Sequence, residues 1–163
     1  MDDKDFDRLL SGIEYPLFIV TTVNAEGERA GCLIGFATQC SIEPPRFLAG
    51  LSKKNHTFRV AGSATHLGVH VIAKEDKHLA ELFGGETGDE VDKFAECDWH
   101  EGPEGVPILD EVEAWFVGNV LERVDLGDHV GHVLAPVAVQ VAKPTNLQSQ
   151  DASDIEAGHP AHE

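Results

Sequence analysis

Adjacent prolines at Pro44 and Pro45 constrain this chain most, because they separate two short apolar runs and forbid a helix from joining them. The first run, Arg29 to Phe36, has the character of a buried strand, and the second, Arg46 to Leu51, reads as another. Between them Ala37-Thr38-Gln39-Cys40-Ser41 is small and polar, and is expected to form an open loop whose backbone a ligand can approach. Behind the second run, Ser52-Lys53-Lys54-Asn55-His56-Thr57 gathers two cations, an amide and hydroxyls, the fixed donors and positive charge that a phosphate needs. Four of the chain's 12 Lys and Arg (Arg46, Lys53, Lys54 and Arg59) fall in this region, although the formal net charge is -17. A small anion is the expected ligand of such a local patch.

The remaining segments continue an antiparallel pattern. Pro16 to Val23 is rich in Val, Ile, Phe and Thr, and Asn24-Ala25-Glu26-Gly27 turns it into the strand ending at Phe36. His66 to Ile72 alternates Leu67, Val69 and Val71 against His66, Gly68 and His70. Glu111 to Val124 and His129 to Val141 read as two long strands joined at Asp125-Leu126-Gly127-Asp128, with Pro136 placing an edge or a bulge in the second. Helices are expected at Asp5 to Leu10, from Asn55 through Ala61, at Lys74 to Phe83 and at Asp89 to Phe94. Cys97 to Asp110, with its Gly-Pro and Val-Pro steps, reads as a loop over a pocket, with Trp99 packed beneath it.

Composition excludes several classes of function. A charge of -17 repels nucleic acid, whose binding rests on phosphate neutralisation. No apolar run approaches the roughly 20 residues that cross a bilayer, and the acidic start Met1-Asp2-Asp3-Lys4-Asp5 is unlike a secretory leader, so a cytoplasmic protein with no membrane partner is expected. Cys32, Cys40 and Cys97 are odd in number and lack C-x-x-C spacing, which indicates reduced, packed thiols. Among nine histidines no metal pair emerges: His66 and His70 lie ~13 Å apart along a strand, and His129 and His132 point to opposite faces.

The order of landmarks resembles the flavin reductase-like family of FMN-binding split barrels, which pass hydride from NADH or NADPH to flavin. The S-x-x-P-P step is Ser41 to Pro45, following Thr38, and the K-x-N-x-T turn is Lys53 to Thr57. Leu79 to Phe83, Asp92-Lys93-Phe94 and Gly127-Asp128-His129 match later landmarks, so the likeness runs from about Tyr15 to Val141. It departs where Leu33 and Gly35 replace usual hydroxyl residues, and where His132 and Pro136 interrupt an apolar strand.

The resemblance implies a mainly β protein with peripheral helices, an antiparallel six- or seven-stranded split barrel. Residues 1–14 would be a helical extension, 15–142 the barrel and 143–163 a disordered tail. It places flavin contacts on Gly35, Phe36, Ala37, Thr38 and Ser41, phosphate contacts on Lys53, Asn55, His56 and Thr57, and His129 beside the nicotinamide as the catalytic residue. The implied cofactor is FMN, or FAD, with NADH or NADPH as co-substrate. The implied partners are a second copy of the chain and a flavin-dependent monooxygenase. A ferric chelate or quinone acceptor, or a non-catalytic flavin-binding module, remains as the alternative.

Overall fold

The computed structural model describes residues 1–88, 90–141 and 147–158. Helix α1, Asp3–Ser11, is capped by the Asp2 carboxylate, which accepts from the Lys4 amide, and carries Asp3 and Asp5 in its first turn. Strands β1 (Phe18–Val23) and β2 (Arg29–Ile34) form a hairpin whose turn needs the positive φ of Gly27, 81°. Strands β3 (Ala37–Ser41) and β4 (Arg46–Ser52) follow, then α2 (His56–Ala61), capped by Asn55. Strand β5 (His66–Val71) leads to α3 (Lys77–Gly85), the short strands β6 (Trp99–Glu101) and β7 (Pro107–Leu109), and the two long strands β8 (Ala114–Asp125) and β9 (His129–Gln140).

Seven strands form one antiparallel sheet in the order β2-β1-β5-β8-β9-β4-β3, while β6 and β7 pair separately. The sheet curls until β2 approaches β4, which leaves β2 and β3 as its free edges. The period of two along each strand then creates two apolar layers. Val20, Cys32, Leu51, Leu67, Val69 and Leu134 fill the inside of the curl, and Ile19, Ile72, Leu79, Phe83 and Leu109 pack under α3 on the outside. Each side chain removed from water in this way is worth about 1.5–3 kcal/mol.

Polar groups tie the layers together. His70 is fully buried, with Nδ1 3.0 Å from the Ile19 carbonyl and Nε2 accepting from the Leu109 amide at 3.1 Å. Thr21 donates to the Pro107 carbonyl at 2.6 Å, so the β6–β7 hairpin is fastened to the sheet at two points. Lys93, buried at 4% exposure, donates to the carbonyls of Gly31 and Phe83 at 3.0 and 2.9 Å and joins β2 to the end of α3. Burial lowers its pKa from the ordinary lysine value.

Four local expectations change, and the edge-or-bulge expectation at Pro136 resolves to the bulge. The segment at 37–41 is a strand rather than an open loop, because its backbone pairs with β4 from Ala37↔Ala49 to Ser41↔Arg46. Cys40 is exposed on that edge, not packed, since β3 has no neighbour on its other side. The expected helix near Asp89 reduces to one 3-10 turn at Lys93–Ala95; Asp89 lies outside the described residues. Within the Cys97 to Asp110 segment the chain forms the β6–β7 pair, with Trp99 packed edge-on against Phe94. Pro136 sits at a bulge, where Gly118 pairs with Pro136 after Val117 pairs with Ala138, and β9 is internal to the sheet.

The expected disordered tail also changes where it is described. Residues 143–146 and 159–163 lie outside the described residues, but 147–158 dock on the barrel. Leu147 is 1% exposed; its amide donates to the Ile72 carbonyl at 2.6 Å and its carbonyl accepts from Leu17 at 3.1 Å. Ser149–Ala152 makes a 3-10 turn, Ala152 and Ile155 pack into the outer layer, and Asp154 pairs with Lys77 at 2.9 Å. Three widely spaced apolar residues in a polar stretch give no periodicity, yet each meets a prepared groove.

Candidate active site

The free edge of β2, the start of α2 and the β8–β9 turn converge on a cavity of about 570 Å³. Its walls are Leu17 of the segment before β1, Leu33 to Phe36 at the end of β2, Gly50 and Ser52 of β4, Asn55, and Asp128 and His129. Phe6, Asp7 and Leu10 of α1 stand at its rim. A second cavity of about 320 Å³, lined by Ala37, Thr38, Leu48 and Leu126, shares Phe36, Gly50, Asp128 and His129 with the first. The two spaces meet at the His129 and Phe36 rings.

Strand register explains the convergence. His129 is the partner of Ser52 in the β4–β9 ladder, and the Lys53 amide donates to the Asp128 carbonyl at 3.0 Å, so the β8–β9 turn is pinned beside the turn after β4. Gly127, with φ 136°, permits that turn. Gly50 lets the chain crossing from β2 to β3 come close: its amide donates to the Phe36 carbonyl at 2.7 Å, and a Cβ there would lie 2.9 Å from the same oxygen. Gly35 makes room for the Tyr15 ring, since a Cβ at 35 would come within 2.4 Å of Tyr15 Cε2.

The sequence-predicted residues fall into two groups. Gly35, Phe36, Asn55 and His129 line the first cavity, and Phe36, Ala37, Thr38 and His129 line the second. Ser41 lies at the far end of β3, opposite Arg46, and lines neither. Lys53 is directed to Asp125, with both carboxylate oxygens within 3.1 Å, and this contact holds the Asp125 pKa below the usual carboxylate range. Thr57 is buried in α2, and His56 faces Glu28 at 3.6 Å and lines a separate cavity beside Gly88. Thus Ser52 and Asn55, rather than Lys53 and Thr57, stand at the cavity wall.

His129 is held from one side. Its Nδ1 lies 2.7 Å from Asp128 Oδ1, and a carboxylate there favours the proton on Nδ1. Asn55 Oδ1 accepts the Thr57 amide at 2.8 Å, so what Asn55 offers a ligand is its amide nitrogen, a donor. Tyr15, Gly50, Ser52 and Asp128 were not read as site residues from the sequence. Gly50 carried a signal, a glycine between two apolar strand residues, and Ser52 opened the turn read as a phosphate site, while Tyr15 carried none.

These walls suit a flat ring with a polar tail. The first cavity combines apolar surface from Leu17, Leu33 and Phe36 with the hydroxyl of Ser52 and the amide of Asn55, and its size falls within the usual 300–1,000 Å³ of small-molecule sites.

Comparison with known proteins agrees with this architecture. The chain is 27% identical over 144 residues to the reductase component of the flavin-dependent trigonelline monooxygenase of Acinetobacter baylyi, covering 88% of this chain and 42% of that protein. It is 28% identical over 128 residues to the FMN reductase (NADH) RutF of Klebsiella pneumoniae, covering 78% and 77%. Among solved structures, the flavin reductase domain protein from Arthrobacter sp. FB24 superposes with a TM-score of 0.81 at 26% identity, over 90% of each chain. The chain spans 35–47% of the length of three of the curated relatives it matches. The sequence model of the flavin reductase like domain matches residues 10–151, and the chain belongs to that family.

Proposed function

We propose that the protein is an NAD(P)H-dependent flavin reductase, transferring hydride from nicotinamide to FMN or FAD, and that it supplies reduced flavin to a partner monooxygenase. The observation that carries this reading is the cavity at the edge of β2, where Phe36 and His129 face a wall of small residues and short donors. Bound flavin supplies the hydride acceptor, and the protein supplies position and electrostatics. Leu17, Leu33 and Phe36 bind and desolvate the ring, Ser52 and Asn55 hold the polar tail, and the Asp128-fixed imidazole of His129 orients the nicotinamide amide or stabilises charge at the ring edge. No acid-base pair is required of the chain.

Similar proteins support the assignment. The Acinetobacter relative is named as a monooxygenase reductase component and the Klebsiella relative as an NADH-linked FMN reductase. The absorbance spectrum before and after addition of FMN, followed by NADH and NADPH oxidation with and without free FMN, tests the reading. A perturbed flavin spectrum and flavin-dependent oxidation of at least one nucleotide are expected.

The working unit is proposed to be a homodimer in the cytoplasm. Val137 and Val139 of β9, with Leu121 of β8, are more than 48% exposed, apolar side chains on adjacent strands that a second copy could cover. Among the described residues no helix is long and apolar enough to cross a membrane. Light scattering of the purified chain gives the mass directly, and a monomer at working concentration would remove the dimer.

A further inference from the structure

The docked segment 147–158 does more than complete the core. It forms one wall of a separate compartment of about 220 Å³, between Ser149, Ile155 and Ala157 on one side and Leu33, Phe83 and Gly84 on the other. This compartment shares Tyr15, Leu17, Leu33 and Asn55 with the principal cavity, so the two adjoin along the free edge of β2. Its polar side chains are Tyr15, Asn55, Ser149 and Glu86, and among the described residues no Lys, Arg or His lines it.

That chemistry selects a ligand class. The Tyr15 and Phe83 rings with Leu17, Leu33 and Ile155 give an otherwise polar compartment a surface for an aromatic base, a carboxylate accepts hydrogen bonds from a ribose diol, and the lack of a lining cation disfavours phosphate inside. The principal cavity already has room for the reacting rings, and a dinucleotide that reaches them must put its other half nearby. We infer that the compartment under segment 147–158 takes the adenosine half of a dinucleotide, with Glu86 reading the ribose hydroxyls. A phosphate on the 2′ oxygen would meet the Glu86 carboxylate, so the unphosphorylated form is the one accommodated. The inference rests on the flavin reductase reading only for the identity of the dinucleotide's role, not for binding itself.

The test uses 5′-AMP as the probe, with calorimetric titration of the full chain in the absence of flavin. Ala157 is exposed, so Ala157→Trp fills the compartment without entering the core. Binding of 5′-AMP is expected to weaken by about tenfold or more in this variant while FMN affinity is unchanged. Wild type should bind 5′-AMP more tightly than 2′,5′-ADP by about tenfold, and Glu86→Lys should close or reverse that gap. In the same variant, a raised KM for NADH assigns the adenosine to the hydride donor, and a weakened FAD affinity assigns it to the flavin. Binding of 5′-AMP that survives Ala157→Trp, equal loss of FMN and 5′-AMP affinity, or no preference between the two probes would overturn the inference. Absence of turnover with 5′-AMP binding intact would instead count against the reductase reading alone.

Discussion

The imidazole of His129 and the ring of Phe36 lie 4.8 Å apart between centroids and are tilted by 55°, and both side chains line both cavities. Phe36 is 61% exposed, unusual for a large aromatic with a ring partner, so its removal leaves the core intact while taking away a ligand surface. Phe36→Ala should weaken FMN binding by about 1 kcal/mol. Fluorescence-quenching titration measures that loss, and an unchanged melting temperature alongside it separates a binding role from a structural one.

Asn55 combines two duties that substitutions can separate. Its carbonyl oxygen caps α2 and its amide nitrogen is available at the cavity wall. Asn55→Asp keeps a capping oxygen but replaces the donor by a negative charge, so the melting temperature should hold while FMN affinity falls. Asn55→Ala should lower both, the cap alone being worth about 1 kcal/mol. Equal FMN affinity in wild type and Asn55→Asp would place the phosphate elsewhere.

Acid should destabilise the fold through His70. Burial lowers its pKa from 6.5 to about 4, even though the Ile19 carbonyl pulls the other way. In the pH range between those values the unfolded chain binds a proton that the folded chain does not, so stability is present above 6.5 and is lost as pH falls through about 4. The loss from this one group is about 3 kcal/mol. Urea unfolding across that range should show the decline, and His70→Gln should flatten it.

Segment 147–158 should prove necessary for a stable barrel. Leu147→Ala removes a fully buried side chain, for which about 2–5 kcal/mol is usual, and truncation after Val141 removes Ala152 and Ile155 as well. Differential scanning calorimetry of either variant should show a lower melting temperature, with the truncation lower still. A truncated chain melting with wild type would show that the docked segment adds nothing.

Strand positions were legible because apolar alternation is a local signal: β1, β5, β8 and β9 lie close to their expected limits. The glycine and proline punctuation likewise placed the turns and the Pro136 bulge. What local pattern cannot carry is pairing. Segment 37–41 has the composition of a loop and becomes a strand only because β4 offers its edge, and Lys53 has the look of a phosphate ligand until the β8–β9 turn brings Asp125 to it. Leu147 was hidden for the same reason, as its partners Leu17 and Ile72 are distant in sequence. His70 read as an ordinary strand histidine, and only the packed β6–β7 hairpin shows why it is buried.

The central claim is that His129 acts on hydride transfer within the cavity it shares with Phe36. Anaerobic stopped-flow reduction of protein-bound FMN by NADH and by NADPH, in wild type and His129→Ala, measures it directly. The account predicts reduction by wild type well above the rate of free FMN, and a drop of about tenfold or more in His129→Ala with FMN affinity nearly unchanged, a loss confined to the transition state. Reduction by wild type no faster than free FMN with either nucleotide, or a variant that loses flavin binding and turnover together, would contradict it.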